Sequence, residues 1–467
     1  MKRAYKYILA AILIAFSTTA YTQSLNSGYF TEGLTNRHDL NPAFGNDKSY
    51  FSIPLLGNVN VKMMGNFGYQ DIVLDNPLYP ASSSKKKTTF MNPYITDGLS
   101  GFNTGINKVN GQVLMSILSM GFKGKKSYTT LELNTRVLTD AKLPYELFEF
   151  AKNTGNKSYD IGDINLRVQS FAELAFGQSR QINSQLRIGA KAKLLLGIMN
   201  GTFEFKNVKA DLSGENQWTV SGDATADISM KDFKYKTETK EYNNKYTGHE
   251  SYNRINDVDL GKPLGGFGLG IDLGAEYKVN KDLSVSAALL DLGFIHWSND
   301  MQAKNNSKSF TFGGFHDTSV TSDGGNTFDD QTDSYKDQIS DFINLQDQGD
   351  KGGKTTTLGA TVNLGAQYTL PAYRKLSFGL LSSTRLVSNY TWTECRLSAN
   401  IAPVKWFDGG ISVAMNSFAP SIGWIANFHP KGFNLFVGMD HLIGQLSKEY
   451  IPLTSNASVS LGMNIAW

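Results

Sequence analysis

In "LRIGAKAKL", residues 186–194, Arg187, Lys191 and Lys193 all sit at odd positions. Arg167, Gln169 and Glu173 form a similar set upstream, followed by Asp272 with Glu276, Glu394 with Arg396, and then Asp408 and Asp440. In an extended chain, residues of one parity lie on one face, so these sets gather charges of both signs on shared faces. Three cations on one face concentrate an anion in a confined, low-dielectric space. The expected chemistry for Arg187, Lys191 and Lys193 is pairing with the acidic headgroup of an amphipathic molecule. The competing reading is a network of ion pairs that braces a wall or binds an internal plug.

Other chemistries find little support. No G-x-S-x-G elbow is present, and no histidine comes with an evident serine and carboxylate partner. The six histidines include no pair at zinc-ligand spacing. The glycines of "GGFGLG", 265–270, alternate along an extended segment and open no helix, so they are no phosphate loop. Eight aspartates between Asp323 and Asp350 lack the spacing of a calcium loop and read as a solvated acidic segment. "KDFKYKTETKEYNNKY" mixes Lys with Tyr but reads as a polar surface loop rather than a base-stacking platform. Neither an enzyme nor a cofactor or metal site is expected, and no nucleic-acid partner.

The elements that position the charges repeat one pattern. Ala457–Trp467, "ASVSLGMNIAW", alternates Val459, Leu461, Met463, Ile465 and Trp467 with small or polar residues. Similar alternation runs through Phe267–Tyr277, Leu358–Tyr368, Phe407–Met415, Ile422–Phe428 and Phe433–Met439. Each run is about ten residues, the length a tilted strand needs to cross a bilayer. Six connectors are short, at 123–126, 181–184, 280–282, 371–374, 404–406 and 430–432. Those between them vary in size, with long ones at 69–111, 140–163, 200–264 and 298–354. The connectors delimit fourteen strands, an even number that places both termini on the short-turn side. The expectation is an all-β fold, a transmembrane outer-membrane β-barrel with a short N-terminal hatch and long extracellular loops.

On a lipid face each mid-membrane Lys or Arg would cost about 2–4 kcal/mol, so the charged sets must face the lumen. Cys395 shares parity with Leu397 and Ala399 and is expected on the lipid side. Aromatic residues suggest two interfacial girdles. Tyr277, Tyr368, Trp406, Phe407, Phe428, Phe433 and Trp467 lie at the short-turn side, and Phe267, Trp297, Tyr390 and Trp392 at the other. Within the long connectors, Thr202–Leu212 and Trp218–Ser229 read as a hairpin, and "LPYELFEFAK", 143–152, as a short amphipathic helix. Gly266 to Gly274 is expected to leave lumenal room for an apolar tail. Residues 1–22 carry a basic start, a nine-residue apolar core and small residues before Gln23, as a secretory signal does. Its loss removes three positive charges from a formal net of +3, leaving the rest of the chain near neutral. Residues 23–49 then form the hatch-like segment and 50–467 the barrel.

Asn41-Pro42-Ala43, just before the first strand, resembles the motif of FadL-type outer-membrane transporters of hydrophobic compounds. "NPAF", "IPLLGNVNV", "GAKAKLLLGI" and "SAALLDLGFIHW" resemble an uncharacterised Bacteroidetes family of FadL-like and PorV-like barrels, over nearly the whole length after the signal. The resemblance implies that Asn41, Pro42 and Ala43 are hatch residues and that ligand leaves sideways through the wall. The terminal strand ending on Trp467 resembles the signal read by the barrel-assembly machinery. The expected function is passive transport of hydrophobic or amphipathic small molecules by a barrel in the Gram-negative outer membrane. Its expected partners are outer-membrane lipid, the assembly machinery and an amphipathic ligand. An accessory role with secretion or surface proteins is the alternative.

Overall fold

The computed structural model describes residues 25–80, 82–153, 155, 157–214, 217–244, 248–305, 307–314, 328–387, 389–441 and 456–467. The expected signal at 1–22 lies outside the described residues, as do residues 442–455 between the last two strands. Fourteen antiparallel strands close into one barrel, and 64% of the chain is strand. In chain order the wall consists of β1 (Tyr50–Ser52 with Val59–Gly65), β2 (Ile106–Lys123), β3 (Ser127–Pro144), β4 (Ser158–Gln181) and β5 (Leu186–Asp211). It continues through β6 (Gly266–Lys278), β7 (Leu283–Trp297), β8 (Lys354–Thr357 with Ala360–Thr369), β9 (Leu376–Leu386) and β10 (Thr391–Val404). The last four are β11 (Phe407–Asn416), β12 (Pro420–Phe428), β13 (Asn434–Met439) and β14 (Asn456–Ala466).

Each strand pairs with its neighbour in sequence, and β1 pairs with both β2 and β14 to close the ring. The six short turns fall where the sequence places them. Closure leaves no edge strand in the wall, which a lipid environment demands because exposed backbone groups have no water to bond there. At the seam, Ser49 and Trp467 exchange backbone hydrogen bonds of 3.0 Å in both directions. Trp467 is therefore held by the ladder while its ring stays exposed.

The outer belt is apolar. Leu269, Ile271, Leu273, Leu380, Leu397, Ile411, Val413 and Ile422 are all exposed, and Cys395 shares that surface. Of the seven aromatics expected in the short-turn girdle, Tyr277, Tyr368, Trp406, Phe428 and Trp467 are exposed, and Phe407 and Phe433 are partly buried. The opposite girdle needs correction, because of its four aromatics only Phe267 is exposed. Trp297, Tyr390 and Trp392 are buried, with Trp297 and Trp392 at 0% and 1% exposure.

For Trp297 the cause is a bulge. Ile271 faces Leu292 while Leu273 faces Leu289, so β7 carries an extra residue at Leu290–Asp291 and its in–out alternation flips. Beyond the bulge, Ile295 and Trp297 turn inward. A second flip, at Gly359 (φ +79°) in β8, turns Leu358 into the interior. Leu358 there joins Leu138, Phe171, Leu195, Ile295 and Trp297 in a buried apolar cluster.

The expected long loops are partly strand. β4 and β5 run for 24 and 26 residues, well beyond the membrane requirement. Trp218–Ser229 pairs with the outer half of β5, as the hairpin reading has it, and also with Met301–Asn305 and Ser309–Phe312. The helix read at 143–152 spans Tyr145–Lys152, and Phe148 stacks on Phe102 at 4.0 Å, folding the 66–105 loop against the outer ends of β2 and β3. The acidic 298–354 region holds a helix, Phe328–Ile343, where the sequence reads as a solvated loop.

Removing Trp467 deletes two backbone bonds at the seam, where Trp467→Ala keeps both. The deletion should lower the heat-modification midpoint on gels by several degrees more than Trp467→Ala does. Equal midpoints would show that the ring, not the seam bonding, carries the effect.

Candidate functional site

Residues 25–44 run inside the barrel, and 45–49 lead to its seam. Nearly all of 25–44 is buried, and the segment contains two short 3₁₀ turns, Asn26–Gly28 and Thr35–Asp39. With so little regular structure, the segment must satisfy its backbone polar groups against the wall. Asn26 N and Ser27 N donate to the Asp440 carboxylate at 3.0 and 2.7 Å. Gly33 N donates to Asp408 Oδ2 at 2.7 Å, and Asn363 Nδ2 donates to Leu40 O at 3.0 Å. Leu25 and Leu34 pack on Ile425 and Phe436, and Tyr29, Phe30, Leu40 and Phe44 pack with Leu381.

Asn41-Pro42-Ala43 has a shaped seat. Gly189 of β5 and Gly274 of β6 are register partners. A Cβ on Gly189 would lie 2.1 Å from Pro42 O, and one on Gly274 would lie 2.0 Å from Asn41 Oδ1. Only glycine lets the segment lie this close to the wall. Asn41 Nδ2 donates to Ala275 O and Ala287 O at 3.3 and 3.2 Å, and its Oδ1 accepts from Ala43 N at 2.9 Å. The expected space for an apolar tail along Gly266–Gly274 is thus filled. Asn41 and Pro42 cover Gly274, and the Trp297 ring lies over Gly266.

The three cations singled out in β5 have different surroundings. Lys191 Nζ donates to Asp39 Oδ1 at 2.8 Å and to Glu132 Oε1 at 2.9 Å, tying the segment to β3 and β5. Lys193 Nζ lies 2.8 Å from Asp272 and 2.7 Å from Asp291. Arg187 is half-buried near the short-turn end and donates to Ser179 Oγ at 2.9 Å. It makes no ion pair among the described residues. Burial alone would raise the Asp39 carboxyl, but Lys191 and His38 beside it hold it well below the usual carboxylate range.

Asp291 is the hub of a second network. Arg136 grips it with both terminal nitrogens at 2.6 and 2.7 Å, and Arg385 stands 3.5 Å away. Its φ of +59° is a strained value for a non-glycine residue, held here by three cations from β3, β5 and β9. A third network joins Glu394, Arg396, Asp440 and Lys62. His38, Asp39 and Glu132 bring three potential metal ligands within 4.8 Å of one another. The Lys191 ammonium already bonds both carboxylates, so this donor set is met by a protein cation.

Sequence reasoning missed Glu132, Arg136, Arg385 and Asp291. The first two alternate in "LELNTR", and Arg385 lies on β9, so parity alone could find these three. Asp291 is hidden because strict alternation from Val285 and Ala287 points it at lipid, and only the bulge turns it inward.

Between the segment and these networks lies a polar cavity of about 40 Å³, bounded by Asp39, Arg136, Lys191, Lys193, Asp272 and Asp291. That volume holds about three waters.

Residues 42–440 match the family described as "Family of unknown function (DUF5723)". No curated protein matches the sequence. Solved structures similar to the chain include a TodX deltaS2S3 mutant monoaromatic hydrocarbon channel, with 11% identity, 97% of each chain covered and a TM-score of 0.38. A Pseudomonas aeruginosa FadL homologue has 9% identity and a TM-score of 0.35, covering 97% of this chain and 95% of its own. The translocator domain of autotransporter NalP from Neisseria meningitidis has 8% identity and a TM-score of 0.33, covering 99% and 96%.

Two substitutions probe the site. Gly274→Val should unseat residues 41–43 and expose the segment to protease while the barrel stays folded. Protection equal to wild type would refute the glycine seat. Asp291→Ala leaves three buried cations short of their shared carboxylate and should cost about 3–5 kcal/mol. Its unfolding in denaturant should show that loss, and a change under about 1 kcal/mol would mean the hub is not structural.

Proposed function

This chain belongs to the DUF5723 family, of unknown function, and from its own lumen we propose a gated outer-membrane conduit for passive passage of hydrophobic or amphipathic small molecules. The observation that carries the reading is a discrete segment, residues 25–44, seated inside a wall whose ladder closes around it. Removing residues 25–47 takes out no residue of the strand pairings, which begin at Tyr50. With it in place, the 40 Å³ cavity falls far below the roughly 300–1,000 Å³ of a ligand cleft. In this reading passage follows movement of the segment, and Asn41, Pro42 and Ala43 are assigned as the hatch residues that seat it.

Lys191 holds the hatch through Asp39, and Lys193 braces the wall through Asp272 and Asp291. Arg187, which faces Glu276 in register but makes no ion pair within 4 Å among the described residues, is assigned to meet an acidic headgroup near the short-turn opening. Trp467 is assigned as the signal for the barrel-assembly machinery, and the Gram-negative outer membrane as the location. An accessory role in protein secretion or surface attachment draws on a different observation. The wall is closed, and the outer parts of β4 and β5 carry a sheet raised beyond the membrane.

Deleting residues 25–47 from the mature barrel separates the two readings. A conduit should change from baseline conductance in planar bilayers to resolved unitary steps, with faster entry of a small amphipathic acid into liposomes. Arg187→Gln in that background should slow the acid but not a neutral analogue. A folded deletion variant that stays at baseline would overturn the conduit and favour the accessory role.

A further inference from the structure

The short-turn rim and the lipid face above it carry a second, unassigned feature. On the outer surface between β7 and β12 lies an apolar groove of about 550 Å³. Ala366 and Ala399 make its floor, and Tyr368, Phe378, Leu397 and Ile411 make its flanks. Register explains the shape. Ala399 of β10 lies between Phe378 of β9 and Ile411 of β11, so a methyl group sits in a row of large side chains. The groove opens toward the turns, since Tyr368 and Phe378 flank the β8–β9 turn and Leu283 follows the β6–β7 turn.

The four turns at that end are strongly basic. Lys278, Lys281, Arg374, Lys375, Lys405 and Lys431 are all exposed there. Asp282 is the one carboxylate within these turns, and Arg374 neutralises it at 2.6 Å. Lys278, Lys281, Lys405 and Lys431 make no ion pair among the described residues, and Lys375 Nζ donates only to Pro403 O, at 2.7 Å. The exposed rings of Tyr373 and Trp406 mark the interfacial level beside them.

We infer that this face is a binding site for one anionic phospholipid, its phosphate among Lys281, Lys375 and Lys405 and one acyl chain lying over Ala366 and Ala399. The occupant follows from three features together. The groove is continuous with the lipid-facing belt, it is apolar, and a cation cluster with almost no opposing acid stands at its end. An acidic protein would meet the cations but has no use for an apolar slot inside the membrane. A zwitterionic lipid would use the slot but not the net charge. Short turns face the periplasm in such barrels, so the leaflet concerned is the phospholipid one.

The test uses the whole barrel in a mild nonionic detergent, titrated with phosphatidylglycerol or phosphatidylcholine of identical chains and read by native mass spectrometry. Phosphatidylglycerol should be retained preferentially. The triple variant Lys281→Gln, Lys375→Gln and Lys405→Gln should lower its retention by about fivefold per charge removed, leaving phosphatidylcholine unchanged. Ala399→Phe, which fills the floor from the lipid side, should lower retention of both lipids. Heat-modifiable migration confirms that each variant is folded. Equal retention of the two lipids by the wild-type barrel, or wild-type selectivity in the triple variant, would overturn the site. Capture of an acidic periplasmic protein without any phosphatidylglycerol preference would also overturn it.

Discussion

A wall that borders lipid can present neither unpaired backbone groups nor charges on its outer face. The first demand closes fourteen strands into a ring through the pairing of β1 with β14. The second drives Lys62, Glu132, Arg136, Lys191, Lys193, Arg385, Glu394 and Arg396 into the lumen, where all are buried. A buried charge then needs a partner, because an uncompensated one costs more than any contact nearby supplies. Much of the interior follows from that need. The wall pairs its own charges around Asp291, and elsewhere the N-terminal segment supplies the partner, as Asp39 does for Lys191.

Wall and segment are matched in shape as well as charge. Gly189 and Gly274 stand side by side so that Asn41 and Pro42 can approach the strands directly. Neither glycine is needed for a turn, and each would otherwise weaken its strand. The contacts that hold the segment are hydrogen bonds and ion pairs together with two small apolar clusters, one around Leu25 and Leu34 and one around Tyr29, Phe30, Leu40 and Phe44. Such an interface separates without exposing a large apolar core, as the proposed hatch requires.

The outer face divides the same way into a lipid-facing belt and its rims. Where alternation delivers alanine instead of a large residue, the belt has a groove. Where the chain turns back at the short-turn side, it carries lysine and arginine almost without acids. The conduit assignment and the lipid site therefore draw on different surfaces, one enclosed by the ring and one outside it.

Strand count, turn positions, the inward direction of most charges and the exposed terminal Trp467 were all determined by the sequence alone. Period-2 alternation and connector length are local properties, and a bilayer reads them directly. Tertiary structure decided what those charges meet. Lys191 lies 152 residues from Asp39, and no parity rule pairs them. It also decided the exceptions to alternation. The bulge at Leu290–Asp291 shows only as a mismatch between two strands, and Gly359 resembles any other strand glycine until its φ is known. One extra residue reverses every side chain beyond it. That is how Trp297 left the expected girdle for the lumen, and how Asp291 came to be the centre of a charge network.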